Sequence, residues 1–64
     1  MAKKMMWYEF KPIKGEEIER HNLLSLGNYA DRWGLTPHEF EKVVMADFDE
    51  VISIKDIGEF RRVQ

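Results

Sequence analysis

The sequence has no cysteine, two prolines, four glycines and no apolar run longer than four residues. Without cysteine the chain forms no disulfide and no thiolate zinc site. Its apolar runs are far shorter than the roughly 20 residues of a membrane-spanning helix, so we expect no membrane partner. The glycines are widely separated, which excludes a glycine-rich phosphate loop. These absences predict a soluble, cytoplasmic protein.

Residues suited to catalysis are also scarce. Two of the few hydroxyl side chains, Ser25 and Thr36, stand where helix caps are expected. Neither His21 nor His38 has the spacing of a nucleophilic triad, and each would share a helix face with a carboxylate, which is typical of a solvated surface. We therefore expect no enzyme, no cofactor, no metal and no small-molecule substrate.

The length of 64 residues predicts one small domain over residues 1–64, with residues 1–4 frayed at the terminus. A chain of this size buries only about 60% of the surface that its unfolded form exposes. Its stability must therefore come almost entirely from a small core of apolar and aromatic side chains.

Charge is distributed unevenly along the chain. The net formal charge is −2, yet residues 1–14 hold four lysines against one glutamate, and residues 36–50 hold five carboxylates against one lysine. Residues 51–64 are slightly basic, with three cations and two carboxylates. If the two ends meet in the fold, one face is positive and the opposite face is negative, which favours oriented binding.

The pattern of apolar residues predicts an α+β fold with strands at both ends. Residues 5–11 alternate as a strand that Pro12 and Gly15 end. Residues 51–54 and 59–63 are strand-like on either side of a turn, which predicts a C-terminal β-hairpin. This hairpin is expected to join the first strand in a small antiparallel sheet.

The middle of the chain has helical periodicity with two breaks, which predicts three short helices. The first covers residues 16–23, with acidic residues in its opening turn. The second runs from an N-cap at Ser25 to a stop at Gly34. Thr36, Pro37 and Glu39 form a capping box that starts the third. Trp33 and Phe40 are expected to be largely buried.

Residues 24–44 resemble the helix-turn-helix of phage excisionases and MerR-type regulators. In that motif a small residue lies midway along the first helix, here Ala30, and a glycine opens the turn, here Gly34. An apolar residue follows the glycine, and apolar residues recur on the second helix; the matching residues are Leu35, Phe40 and Val43. The resemblance implies a winged-helix-like fold with the hairpin as the wing, and a function in DNA binding.

The DNA-binding hypothesis assigns contacts to the second helix of the motif and to the hairpin. On the resemblance, the candidate contacts are Thr36, His38, Lys42, Lys55, Arg61 and Arg62. Arg61 and Arg62 are the expected phosphate contacts. The second helix itself departs from the family, because its single lysine lies among carboxylates that repel an anionic duplex.

The alternative hypothesis, which the charge pattern favours, is a protein-binding module. The strand over residues 5–11 has apolar side chains on both faces, and a single-layer sheet covers only one face with helices. The candidate interface residues are Met5, Trp7, Glu39, Glu41 and Asp47. The partner is another protein or a second copy of the chain. Such a module fits a small accessory or inhibitory factor of the kind that phages and mobile elements encode.

Overall fold

A four-stranded antiparallel sheet with two helices on one face forms the fold. The computed structural model describes residues 6–15 and 17–64. The elements, in chain order, are β1 Trp7–Pro12, β2 Glu19–Asn22, α1 Leu23–Trp33, α2 Pro37–Val44, β3 Val51–Ile54 and β4 Gly58–Arg62. The strand order across the sheet is β2-β1-β4-β3. In the described ranges, neither helix has the length and apolar character needed to cross a membrane.

Strand β1 lies in the middle of the sheet and sets its two faces. Tyr8 and Phe10 are buried under the helices, whereas Trp7, Glu9 and Lys11 alternate with them and point to the open face. Strand β4 pairs with β1 so that Phe60 lies opposite Phe10. The predicted N-terminal strand and C-terminal hairpin are therefore roughly present.

The core is built from aromatic rings on the sheet and aliphatic side chains on the helices. The rings of Phe10 and Phe60 stack with 4.5 Å between centroids, and Trp33 lies 4.5 Å from Phe10. The most deeply buried large side chains are Tyr8, Phe60, Leu26 and Val43. Trp33 and Phe40 are packed against this core but stay half-buried, so the expectation that both would be largely buried holds only in part.

The prediction of a helix over residues 16–23 is wrong. Glu19–Asn22 form strand β2, which pairs with β1 and places Arg20 opposite Glu9. The strand buries His21 beside its cross-strand partner Tyr8, whereas a helix would have left the edge of β1 unpaired. Four antiparallel strands and two helices replace the predicted three-helix, winged-helix-like arrangement.

Because strand β2 replaces the predicted first helix, helix α1 starts at Leu23. Asn22, and not Ser25, is the N-cap: its side chain accepts a hydrogen bond from the Ser25 amide at 2.8 Å. Gly34 ends the helix with φ +79°, a left-handed conformation in which glycine has no steric penalty. Helix α2 starts at the predicted capping box of Thr36 and Glu39, with both reciprocal hydrogen bonds present.

The hairpin between β3 and β4 depends on a second glycine. Asp56 in the turn has φ +66° and Gly58 has φ +149°. A Cβ atom at Gly58 would overlap the carbonyl oxygen of Lys11 on the neighbouring strand. The chain can therefore enter β4 here only without a side chain, and β1 and β4 approach closely as a result.

Candidate functional site

The α2 surface, which we define as Glu39, Glu41, Met45, Asp47 and Phe48, combines carboxylates with exposed apolar side chains. Met45 is 75% exposed and Phe48 is 68% exposed. They are two of the seven large apolar side chains that stay exposed in the described residues, and these two lie three positions apart in an acidic segment. Apolar side chains ringed by charge are typical of protein interaction sites.

Local backbone geometry explains why Phe48 points outward. Helix α2 ends at Val44, and the chain then turns tightly, with the Glu50 amide donating to the Asp47 carbonyl at 3.0 Å. Asp49 in this turn has φ +69°, a conformation that aspartate tolerates better than most residues. Phe48 lies at the apex of the turn, so its ring is directed away from the core.

The carboxylates of α2 and of the turn after it differ in the contacts that they form. Glu39 closes the capping box by accepting from the Thr36 amide at 3.0 Å, and Glu50 accepts from the Asp47 amide at 2.8 Å. Within residues 6–15 and 17–64, the side chains of Glu41 and Asp47 form no ion pair. Both are exposed, so their charges are available to a partner.

The open face of the sheet is more polar than the alternation in β1 predicts. Trp7 is half-buried, and the Arg20 guanidinium carbon lies 5.4 Å from its ring centroid in a cation–π arrangement. Met5 lies outside the described residues. Because β1 has β2 on one side and β4 on the other, neither edge of this strand is open to a partner strand.

Arg61 on the open face is held between two carboxylates. Its Nη2 donates to Glu9 and its Nη1 donates to Asp49, each at 2.8 Å. The hydrogen bond that Arg61 donates to Glu9, followed by the charge of the same carboxylate, raises the pKa of Arg61 above its ordinary value. The positive charge predicted as a phosphate contact is therefore balanced by two negative charges of the chain itself.

Arg62 faces the helices instead of solvent and is half-buried. Its Nη1 donates to the carbonyl oxygen of Ala46 at 3.3 Å, and its Nε donates to that of Gln64 at 3.2 Å. The first of these carbonyls lies just beyond the end of α2. Arg62 thus joins β4 to the chain that follows this helix.

The other DNA-contact candidates lie at the start of α2, along α2 and in the turn of the hairpin. Thr36 uses its hydroxyl to accept from the Glu39 amide at 3.1 Å, whereas His38 and Lys42 are exposed on α2. Lys55 is exposed in the turn between β3 and β4. Lys42 and Lys55 line one groove between α2 and β3, whereas Arg61 lies on the open face of the sheet with Glu9.

Helices α1 and α2 are joined by the short turn that the helix-turn-helix resemblance predicts in this place. The Leu35 amide donates to the Ala30 carbonyl at 2.9 Å, and Leu35 is buried. The glycine that faces the second helix is Gly27, where a Cβ atom would lie 3.8 Å from Cζ of Phe40. The likeness to the DNA-binding families stays a prediction.

A hydrogen-bonded chain of three side chains, missed at the level of sequence, joins β2 to α1. His21 Nδ1 lies 2.7 Å from Ser25 Oγ, and His21 Nε2 lies 2.8 Å from Glu19 Oε1. An ionised carboxylate only accepts, so in the neutral ring Nε2–H donates to Glu19 and the Ser25 hydroxyl donates to Nδ1. The order of hydroxyl, imidazole and carboxylate is that of an activated nucleophile.

The surroundings of this hydrogen-bonded network of Glu19, His21 and Ser25 fit a structural role. The His21 ring lies edge-on to Tyr29 and Trp33, with 5.1 Å between centroids in each case. The network therefore satisfies a buried polar ring at the junction of strand and helix. Within the described ranges, no three His, Cys, Asp or Glu side chains come together as a metal site. The sequence signal was the Glu19-x-His21 alternation, which is informative only once these residues are known to form a strand.

Comparison with protein-family models, curated proteins and solved structures gives no match to this chain. The function proposed below is therefore supported by the arrangement of its own residues.

Proposed function

We propose that this chain is a non-enzymatic protein-binding module whose α2 surface docks on a basic protein. The observation that carries the proposal is the exposure of Met45 and Phe48 in the same segment as Glu41 and Asp47, two exposed carboxylates that form no ion pair within residues 6–15 and 17–64. Aromatic and methionine side chains are enriched in the cores of protein interfaces. Burying one phenylalanine side chain stabilises a complex by about 1.5–3 kcal/mol.

Charge sets the kind of partner. Residues 36–50 carry five carboxylates and one lysine, and this excess lies on α2 and the turn after it, the same segment of the chain that holds Met45 and Phe48. A basic surface would be attracted over about one Debye length before contact, while an acidic or nucleic-acid surface would be repelled. The partner that fits is a cationic protein surface with an apolar pocket for Phe48.

Such a partner suits the role of a small accessory or inhibitory factor. Carboxylates that occupy a cationic surface compete with the phosphates that the surface would otherwise bind. A rigid turn that presents an aromatic ring loses little conformational freedom on docking, which favours affinity in a small protein.

The contacts that Arg61 and Arg62 already form favour protein binding over DNA binding. Arg61 is paired with Glu9 and Asp49, and Arg62 bonds to backbone carbonyls. A phosphate would have to displace these contacts before it gained either charge. The α1–turn–α2 arrangement is what favours the DNA alternative, so the experiment includes a nucleic-acid arm.

The test is affinity capture with the full chain, followed by titration of the purified captured protein. Phe48→Ser should weaken binding by at least about tenfold, and the double reversal Glu41→Lys with Asp47→Lys should weaken it further. Asp31→Lys, an exposed charge change on α1, is the matched control and should leave the affinity unchanged. A partner whose contact surface is acidic, or one indifferent to both changes, would contradict the proposal.

The nucleic-acid arm uses a random duplex of about 20 base pairs at low salt and at about 150 mM salt. We expect no measurable change in fluorescence anisotropy at the higher salt. Binding at that salt, with a salt slope that falls by about one unit in Arg61→Ala, would favour the DNA alternative.

A further inference from the structure

We propose that strand β3 is a self-association edge, through which two copies of this chain pair antiparallel about a two-fold axis at Ile52. The pairing would join two four-stranded sheets into one continuous sheet. It goes beyond the proposed function and rests on different observations, namely the composition, hydrogen-bond direction and charge of this edge.

The two edges of the sheet are built differently. Strand β2, at one edge, has Glu19, Arg20, His21 and Asn22 along its length, and charged side chains discourage pairing with another chain. Strand β3, at the other edge, has the sequence Val-Ile-Ser-Ile, without charge or proline. This composition has high β propensity and lacks the protection that β2 carries.

Backbone hydrogen bonds on the other side of β4 fix which groups of β3 face outward. The Ile13 amide donates to the Ile57 carbonyl at 3.0 Å, and the Val63 amide donates to the Trp7 carbonyl at 2.9 Å. Bonded and non-bonded pairs alternate in an antiparallel ladder, so Glu59 bonds towards β1. By the same alternation, the backbone groups of Phe60 point towards β3.

Ile52 is the β3 partner of Phe60, and Ile54 is the partner of Gly58. The amides and carbonyls of these two isoleucines therefore bond to β4, whereas those of Val51 and Ser53 point away from the sheet. In the part of the chain that the structure describes, no strand pairs with that side of β3. A second strand would gain a set of aligned donors and acceptors.

A groove between α2 and this edge leaves room for the second strand. It is lined by residues of both elements, including Met45, Ala46 and Ile52. Its charged lining is two carboxylates and two ammonium groups, from Glu39, Glu50, Lys42 and Lys55. A balanced set favours neither a basic nor an acidic peptide, but it matches a second copy related by a two-fold axis.

Charge also distinguishes the register about Ile52 from the register about Ser53. Only registers that align the outward groups of Val51 and Ser53 allow hydrogen bonding. With the axis at Ile52, Val51 of each copy pairs with Ser53 of the other, and Lys55 lies beside the Asp49 and Glu50 end of the partner. With the axis at Ser53, Glu50 would instead face Asp56, and like charges opposite each other are destabilising.

The first test is sedimentation equilibrium over a wide concentration range. We expect a concentration-dependent species of twice the 7.7 kDa chain mass. Ser53→Pro removes the outward amide and, because proline is tolerated where the N–H faces solvent, should shift the chain to monomer with the fold retained. Ser53→Ala is the matched control: both variants lose the weak contact of the hydroxyl with Glu59 at 3.5 Å, and only the proline should abolish the dimer.

The second test reports the register and does not depend on the proline variant folding. Ile52→Cys adds the only thiol to the chain, and the two copies of position 52 would meet as a close non-bonded pair within disulfide range. Mild oxidation should yield a covalent dimer. Lys55→Cys should not crosslink, because the two thiols would lie about 20 Å apart along the strands.

A monomer at every concentration would overturn the proposal. So would a dimer that Ser53→Pro, shown to be folded by circular dichroism, leaves intact. Failure of Ile52→Cys to crosslink would overturn it as well. Met45 and Glu39 line this groove as well as belonging to the α2 surface, whereas Phe48 does not line the groove. Phe48→Ser therefore tests the binding of a basic partner separately from the dimer, and failure of one proposal is distinguishable from failure of the other.

Discussion

The Tyr8 hydroxyl donates a hydrogen bond to the carbonyl oxygen of Val44, with 3.0 Å between the two oxygens. Val44 is the last residue of α2, and its carbonyl is one of those that a helix leaves without an internal partner. Tyr8 is fully buried on the central strand. This contact therefore joins the C-terminal end of α2 to the middle of the sheet, next to the link from Arg62 to Ala46.

Removing that hydroxyl should destabilise the protein. Tyr8→Phe keeps the ring but leaves the Val44 carbonyl without its donor, which should lower the free energy of unfolding by about 1–3 kcal/mol. Urea denaturation followed by circular dichroism measures the change. Tyr29→Phe, at a position that is 37% exposed, is the control and should change stability by less than about 0.5 kcal/mol.

Tyr8 should also make stability fall at high pH. Burial raises the pKa of its hydroxyl above the ordinary value of 10.0, against an opposing effect of the Arg62 charge. The unfolded chain then releases this proton at a lower pH than the folded chain does. The stabilisation is complete below about pH 10 and is lost as pH rises through the folded pKa, with a slope of at most about 1.4 kcal/mol per pH unit. Urea titrations between about pH 9 and 11 should show this component in the wild type and not in Tyr8→Phe.

Two glycines with positive φ should respond differently to alanine. Gly34 has open space around it, so Gly34→Ala should cost about 1–2 kcal/mol for the left-handed conformation alone. At Gly58 the added Cβ would also overlap the backbone of Lys11, and the hairpin cannot relax without separating β4 from β1. Thermal melts should show Gly58→Ala as the more destabilised by at least about 2 kcal/mol. Equal losses would mean that β1 and β4 do not approach as closely as described.

Alanine in place of a third glycine, Gly27, should raise the stability of the fold. Gly27 lies within α1, and the Cβ of an alanine would make ordinary van der Waals contact with Phe40. Gly27→Ala should stabilise the fold by about 0.5–1 kcal/mol, because it removes the entropic cost of glycine in a helix. A loss of stability in the same urea assay would mean that α1 and α2 cross more closely than this.

A larger side chain at Ala30 should overpack the face of α1 that contacts the core. Ala30 is half-buried against the core, and its carbonyl accepts from the Leu35 amide. Ala30→Leu adds volume there and should lower the free energy of unfolding by about 1–3 kcal/mol. Asp31→Leu, at the exposed neighbouring position, is the control that separates crowding from added hydrophobicity. Unchanged stability of Ala30→Leu would show that the helices have room at this position.

Several elements could be read from the sequence because their causes are local. The alternation of Tyr8 and Phe10 with polar neighbours indicates a strand wherever it lies in the fold. The Thr36 and Glu39 capping box acts within a single turn, so it starts α2 where the sequence places it. The hairpin likewise depends on a turn of a few residues.

Other features of the fold, including strand β2, the contacts of the two arginines and the order of the strands, were decided by tertiary structure. Residues 19–22 have no strong local preference for helix or strand. They form a strand because its backbone pairs with the edge of β1 and because His21 then bonds to Ser25 and Glu19. The sequence alone shows Arg61 and Arg62 as adjacent cations, yet alternation along β4 sends one to the open face and the other towards the helices. Which edge of the sheet is protected, and which apolar side chains stay exposed, depends on the strand order. Strand order is set by contacts between residues far apart in the chain, which no local pattern records.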